Sequence, residues 1–359
     1  MKEVLGWLNS MKNILNYIKE KGDKTFKELE FNNLDSAIFS LLSYIDFTDT
    51  LDKEISLNDA LTRFLLYKEK NAFYKNGFFQ DDLEKLVNTL LDRNRYKDII
   101  VEDYVYKLNN NEQFGVLVLR FDNKKYISFE GTDDKLVGWE EDLTFGYNEL
   151  SASDNDAIKY LKKAISLFDK EVYVGGHSKG GRLAIVSTMY LPNIKKNKVK
   201  NIYNFDGPGL LNKMFESKEF KSIEDKIVHI IPNYSIVGLL LRHNNNYKVA
   251  KSRRIDIYSH SIFTWEINNN DFLYTSLSNV SKKLDISILE WLEEHTEDEM
   301  RIMTKSFFNI FRDNNIDSVV DLFKIKNIYK ILNNSSKYGD DMAKIIRHFL
   351  EFNIKSIFK

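Results

Sequence analysis

The sequence predicts an α/β chain with a mostly parallel central sheet, flanked by helices and extended by helical N-terminal and C-terminal segments. Three observations carry that expectation. Between about residues 98 and 280, short apolar β-rich runs alternate with amphipathic stretches, the pattern of βαβ units. Before and after that region, apolar residues recur at i, i+3 and i+4, the spacing of helices. One strand–helix junction carries the glycine-dense turn "GGHSKGG", Gly175 to Gly181.

Composition permits this and narrows the function. The chain has 359 residues, enough for one large domain or two small ones. Hydrophobic residues are 43% and charged residues 29%, ordinary for a soluble globular protein. A net charge of −1 gives no field that would gather nucleic acid, so no nucleic-acid partner is expected. There are no cysteines, which excludes disulfides, thiolate catalysis and Cys-ligated metals. The start, "MKEVLGWLNSMKN", lacks the apolar region and cleavage site of a secretory signal. No run approaches the ~18 apolar residues of a membrane span. A cytoplasmic protein is expected, organised as a helical segment (1–97), an α/β core (98–280) and a second helical segment (281–359).

The elements follow in order. "LDSAIFSLLSYIDF" (34–47), "LNDALTRFLLYKEK" (57–70) and "LEKLVNTLLDRNRY" (83–96) read as amphipathic helices. "FGVLVLRFD" and "KKYISFEG" read as two strands of a hairpin about "DNKK", since turn residues separate two apolar β-rich runs. "NDAIKYLKKAISLFD" reads as a helix capped by Asp154 or Asn155. The strand "VYVGG" precedes the helix "RLAIVSTMYL". The strand "VKNIYNF" precedes the helix "LNKMFESKEFKSI", and "KIVHIIP" is a further strand. "RRIDIY" is strand-like. Three helical stretches end the chain: 284–313, "IDSVVDLFKIKNIYKIL" and "DDMAKIIRHFLEFNIKSIF".

Gly176-His177-Ser178-Lys179-Gly180 matches G-x-S-x-G between a strand and a helix. Small residues on both flanks let a strained turn project the serine oxygen. The bland alternative is a glycine-rich turn that binds phosphate at a helix N-terminus, but the chain has no G-x-x-x-x-G-K-[ST] motif. Ser178 is the candidate nucleophile, and the Lys179 backbone N–H is a candidate oxyanion donor. His260, in "YSHSIFTW" after the last strand-like run, is the candidate base, because in such sheets the base arrives last in chain order. His177 reads as support for the turn and as a substrate-side contact. His229 reads as core, and His243 as solvated. His295 and His348 read as surface positions. Asp206, at the end of "VKNIYNF", is the candidate acid, set where a sheet displays its functional groups; an Asx turn is its bland alternative. Asp256 is a weaker candidate. Leu239 and Leu240, in "SIVGLLL", are candidates for an acyl pocket. Lys248, Lys251, Arg253 and Arg254 are candidates for an anionic head group.

"FEGTDDKLVGWEEDLTFGY" (129–147) resembles the F-R-G-[ST]…W…D-L-x-F segment of class 3 lipases. That resemblance implies an oxyanion-hole role for Thr132. "LLSYIDF", "FEGTD", "GWEED", "GGHSKGG", "NFDGPG", "SIVGLLL" and "SHSIFTW" together resemble the bacterial Mbeg1-like family over about residues 30–275. That family is assigned to the α/β-hydrolases. The resemblance implies an α/β-hydrolase fold and a serine hydrolase that acts on a small-molecule or lipid ester. No cofactor or metal would be needed, and contact with a membrane surface would be transient. Two departures stand out. Glu130 replaces the arginine of the family's F-R-G-T-D block. Ser235 stands where class 3 lipases carry their acid, which leaves that role to Asp206. A catalytically silent scaffold used for binding, and a thioesterase or peptidase with the same residues, are the competing functional readings.

Overall fold

The structure, a computed structural model, describes residues 11–48, 54–67, 80–109, 112–133 and 136–316. Its centre is an eight-stranded sheet whose strands lie side by side in chain order. They are β1 (Ile55–Ser56), β2 (Ile100–Leu108), β3 (Gln113–Phe121), β4 (Lys124–Phe129), β5 (Glu171–His177), β6 (Val199–Phe205), β7 (Ile227–Pro232) and β8 (Lys248–Ala250). The first four pair antiparallel. From β4 onward all pairs are parallel. The β3–β4 hairpin turns at Asp122 and Asn123, both at positive φ (43° and 60°). That twist suits a two-residue hairpin loop.

Side chains alternate across the sheet and build a core on each face. Leu117, Leu119, Phe121, Tyr126 and Tyr203 pack under the N-terminal helices. These are α1 (Ile14–Lys21), α2 (Asn33–Leu42), α3 (Leu57–Tyr67) and α4 (Gln80–Leu90). Val116, Val118, Ile127 and Val174 pack on the opposite face. Their partners lie on α6 (Ala152–Ala164) and α7 (Lys179–Met189). Helix α5 (Leu136–Thr144) completes the crossover from β4 to β5, and α8 (Asn279–Glu294) and α9 (Glu297–Asp313) follow the sheet. The arrangement is an α/β-hydrolase fold: parallel strands, helices on both faces, and a sharp strand–helix turn after β5.

A buried ion pair anchors the N-terminal helices. Asp35 on α2 receives Arg95 Nη2 at 2.6 Å and Nε at 2.8 Å, and the Tyr96 hydroxyl at 2.9 Å. The Arg95 guanidinium also donates to the Leu29 and Glu30 carbonyls. Both charges are therefore buried with partners, as burial demands.

Several expectations are corrected. Helix α4 ends at Leu90, short of Tyr96, and the chain then turns through Asp92 at φ 60°. Ser151, not Asp154 or Asn155, caps α6; Asp154 completes a capping box from the third helical position. The stretch 211–223 forms two one-turn helices, because Ser217 starts a new cap at Phe220 N–H. Thr296 divides 284–313 into α8 and α9 by a capping box with Glu299. "RRIDIY" is no strand: it bends into a 3₁₀ turn, Ile257–His260. The helical readings beyond Ile316, and His348 with them, lie outside the described residues. Among the described residues, no helix is long and apolar enough to cross a membrane.

Candidate active site

The turn after β5 is strained. Ser178 sits at φ 58°, ψ −133°, a region that side-chain-bearing residues seldom enter. Neighbouring glycines make the turn possible. A Cβ on Gly180 would fall 2.1 Å from the Phe129 carbonyl oxygen, and one on Gly176 would fall 2.3 Å from the Gly180 carbonyl carbon. Ser178 is 7% exposed, and it is followed directly by α7.

Two distant residues meet beside this turn. Asp206 follows β6, also at positive φ (50°), and is fully buried. Its Oδ2 lies 2.6 Å from His260 Nδ1. Its Oδ1 accepts the Ser235 hydroxyl at 2.5 Å and the Gly238 N–H at 3.1 Å. Burial pushes the Asp206 carboxyl above its usual range, and the bonds from His260, Ser235 and Gly238 oppose that. The His260 side chain keeps 15% of its surface in solvent. The His177 and His260 rings lie 4.4 Å apart between centroids, so the imidazole stands against the residue that precedes Ser178. No hydrogen bond joins the Ser178 hydroxyl to the His260 ring here.

His177 is fully buried, with both ring nitrogens engaged. Nε2 lies 2.9 Å from the His260 carbonyl and Nδ1 lies 2.8 Å from the Tyr44 hydroxyl. A carbonyl can only accept, so Nε2 carries the proton and Nδ1 accepts from Tyr44. Burial and the nearby His260 ring hold the His177 imidazole well below its ordinary range, which keeps it neutral. The Tyr44 oxygen in turn accepts the Gly131 backbone N–H. A chain of hydrogen bonds thus runs from the 131–133 loop through Tyr44 and His177 to the backbone of His260. His177 braces that backbone and is closed off from the surface on which a substrate would lie.

The 131–133 loop rests on a buried polar cluster. Thr132 donates its hydroxyl to Asp142 Oδ2 at 2.5 Å. Burial pushes the Asp142 carboxyl up to about 6, against the pull of Lys179 and the Thr132 hydroxyl. The Trp139 indole N–H donates to the Asp133 carbonyl at 2.9 Å. The Lys179 side chain is fully buried. Its ammonium reaches the Gln113 carbonyl (2.7 Å), Gln113 Oε1 (3.3 Å) and Glu141 Oε2 (3.3 Å). Burial alone would lower the Lys179 pKa, but Glu141, Asp142 and Asp133 outweigh it and raise it. Glu130, in the position of the family's arginine, is buried and accepts from Gln113 Nε2 at 3.3 Å. Gly115 makes room for it: a Cβ there would fall 2.0 Å from Glu130 Oε2.

The other sequence candidates sit elsewhere. Leu239 packs in a small core with Ile231 and Leu277 and lines no open surface. Leu240 is half-buried, and its carbonyl accepts Gly209 N–H. Asp256 is tied to Arg254 and to Tyr258 N–H. The basic residues are engaged as well: Lys251 with Glu266, Arg254 with Asp256, Arg253 with the Phe263 carbonyl, and Lys248 over the Tyr274 ring. His243 is half-buried, not solvated, beside His229 and Tyr247. His229 is buried, and desolvation takes it down to about 3. Among the described residues, no group of three or more His, Asp or Glu side chains could hold a metal ion.

The sequence model of the Mbeg1-like family matches residues 90–309. The chain belongs to the Mbeg1-like family. No curated protein matches it. Solved structures similar to this Mbeg1-like chain include M37 lipase (15% identity, 73% of this chain and 80% of that one, TM-score 0.38). Lip2 lipase from Yarrowia lipolytica is 12% identical over 70% of this chain and 86% of that one, with a TM-score of 0.37. The Rhizomucor miehei lipase propeptide complex is 16% identical over 71% and 77%, with a TM-score of 0.39. Likeness this loose carries no argument about function, which rests on the site itself.

Proposed function

We propose that this Mbeg1-like protein is a serine hydrolase that cleaves a carboxylic ester, small-molecule or lipid, through an acyl-enzyme. The observation that supports it is the Asp206–His260 pair, joined at 2.6 Å beside a serine held at positive φ on a glycine-flanked turn. Asp206 fixes the His260 tautomer with its proton on Nδ1, so Nε2 is left to accept. Ser178 Oγ attacks the ester carbonyl carbon, and His260 takes its proton. The tetrahedral oxyanion is bound by the backbone N–H groups of Thr132 and Lys179. As the intermediate collapses, His260 gives the proton to the leaving alcohol, and water then repeats the sequence on the acyl-enzyme. The open Ser178–His260 contact fits a free enzyme, in which catalytic hydrogen bonds are commonly long and tighten around substrate.

Labelling with a fluorophosphonate probe tests this, on wild type, Ser178→Ala and His260→Ala, with and without detergent. Wild type labels; Ser178→Ala does not; His260→Ala labels at least ~10²-fold more slowly, the scale of a lost acid–base catalyst. A folded wild type that never labels, even in detergent, would overturn the hydrolase reading in favour of a binding scaffold.

A further inference from the structure

Lys179 has two separate connections to the proposed oxyanion site. Its backbone opens α7 directly after Ser178 and supplies one proposed donor. Its ammonium runs the other way, buried, to Gln113 at the start of β3. Gln113 in turn grips the loop that carries the second proposed donor. Its Nε2 donates to the Gly131 carbonyl at 3.1 Å, and its Oε1 accepts the Asp133 N–H at 3.3 Å. Those two contacts bracket Thr132. Gly138 closes the packing, since a Cβ there would fall 2.7 Å from Thr132 Cγ2 and 2.9 Å from Gln113 Oε1.

A lone amide side chain has rotational freedom, and here its orientation is fixed from outside. An ammonium only donates, so it selects the Gln113 rotamer that turns Oε1 toward Lys179 and Nε2 toward Gly131. A merely structural ion pair would need Glu141 alone. The additional contacts to Gln113 direct the lysine's charge at the loop.

We propose that Lys179 and Gln113 are positioning residues, through which the start of α7 sets the place of the Thr132 N–H relative to its own. The two donors must converge on one oxygen, and preorganised donors act only when their geometry is fixed before the reaction. The inference rests on the serine-hydrolase reading above.

The test is steady-state turnover of a soluble p-nitrophenyl ester, with kcat expressed per serine titrated by the fluorophosphonate probe. Gln113→Leu keeps the Lys179–Glu141 pair and removes both grips on the loop. Its kcat per titrated serine falls by about 10²-fold, the scale of an ångström-sized misplacement, while KM moves less than about threefold. Lys179→Met/Glu141→Gln removes both charges of the ion pair together, and it shows the same split. A structural role alone would lower the melting temperature and the fraction of titratable serine, with kcat per titrated serine unchanged. That result, in folded Gln113→Leu, would overturn the proposal while leaving the hydrolase reading intact. A wild type without Ser178-dependent turnover would remove both.

Discussion

At the scale of single residues, Asp142 has the clearest pH signature. Its carboxyl rises from 3.8 to about 6 in the folded chain, chiefly by burial. Lys179 and Arg182 oppose the rise, Glu141 adds to it, and the Thr132 hydroxyl opposes it. The folded state therefore holds this proton more tightly than the unfolded chain. Its stabilising contribution is complete below about pH 4 and is lost as pH climbs through 6. The shift corresponds to about 3 kcal/mol. Asp142→Asn removes it, so the variant gains about 2 kcal/mol relative to wild type between pH 4 and pH 7, read by urea unfolding at both values. An unchanged difference between the two proteins would show that Asp142 titrates normally. This behaviour was not legible in the sequence, where Asp142 is the last of three consecutive acids, Glu140 to Asp142, in the second half of α5. That Asp206 and His260 meet beside the Ser178 turn was legible, because a motif and a chain order mark all three. Tyr44 and Gln113 were not: their partners lie 133 and 66 residues away, and no local pattern encodes a contact of that span.

At the scale of elements, the strands that sequence reading found best are the central parallel ones. β5, β6 and β7 are buried on both faces, so they appear as compact apolar runs between turns. β2 escaped because most of its residues are half-exposed or exposed, and β1 and β8 are too short for any periodicity. Helix breaks escaped for another reason: Ser217 and Thr296 restart helices by side-chain caps, while the apolar spacing runs on across them. The junction of β5 and α7 gives a prediction at this scale. In Gly180→Ala the new methyl meets backbone of β4, 2.1 Å from the Phe129 carbonyl oxygen, which no rotamer can relieve. The variant loses at least ~2 kcal/mol in denaturant unfolding, within the range for an overpacked core. A loss below about 0.5 kcal/mol would mean that the strand end yields freely.

At the scale of the whole molecule, the N-terminal helices and the sheet share one apolar core. Phe31 and Phe39 pack against Tyr126 of β4, tilted and edge-on, and Phe31 packs tilted against Tyr173 of β5. The Asp35–Arg95 pair fastens those helices together without solvent. Asp35→Asn strips a buried guanidinium of its counter-charge, which costs about 3–5 kcal/mol. Because the core is continuous, the loss appears as one shifted transition, coincident by tryptophan fluorescence and far-UV circular dichroism. Two separated transitions would instead assign the helices and the sheet to independent units.

Ser235 stands within 2.5 Å of the Asp206 carboxylate, yet the two belong to the ends of different neighbouring strands. Oδ1 is thereby taken up by the chain that follows β7, through the Ser235 hydroxyl and the Gly238 N–H, and Oδ2 is turned toward the imidazole. Rotating the carboxylate would break a bond to the neighbouring strand's loop, so the end of β7 holds the acid to one orientation while contributing no charge of its own.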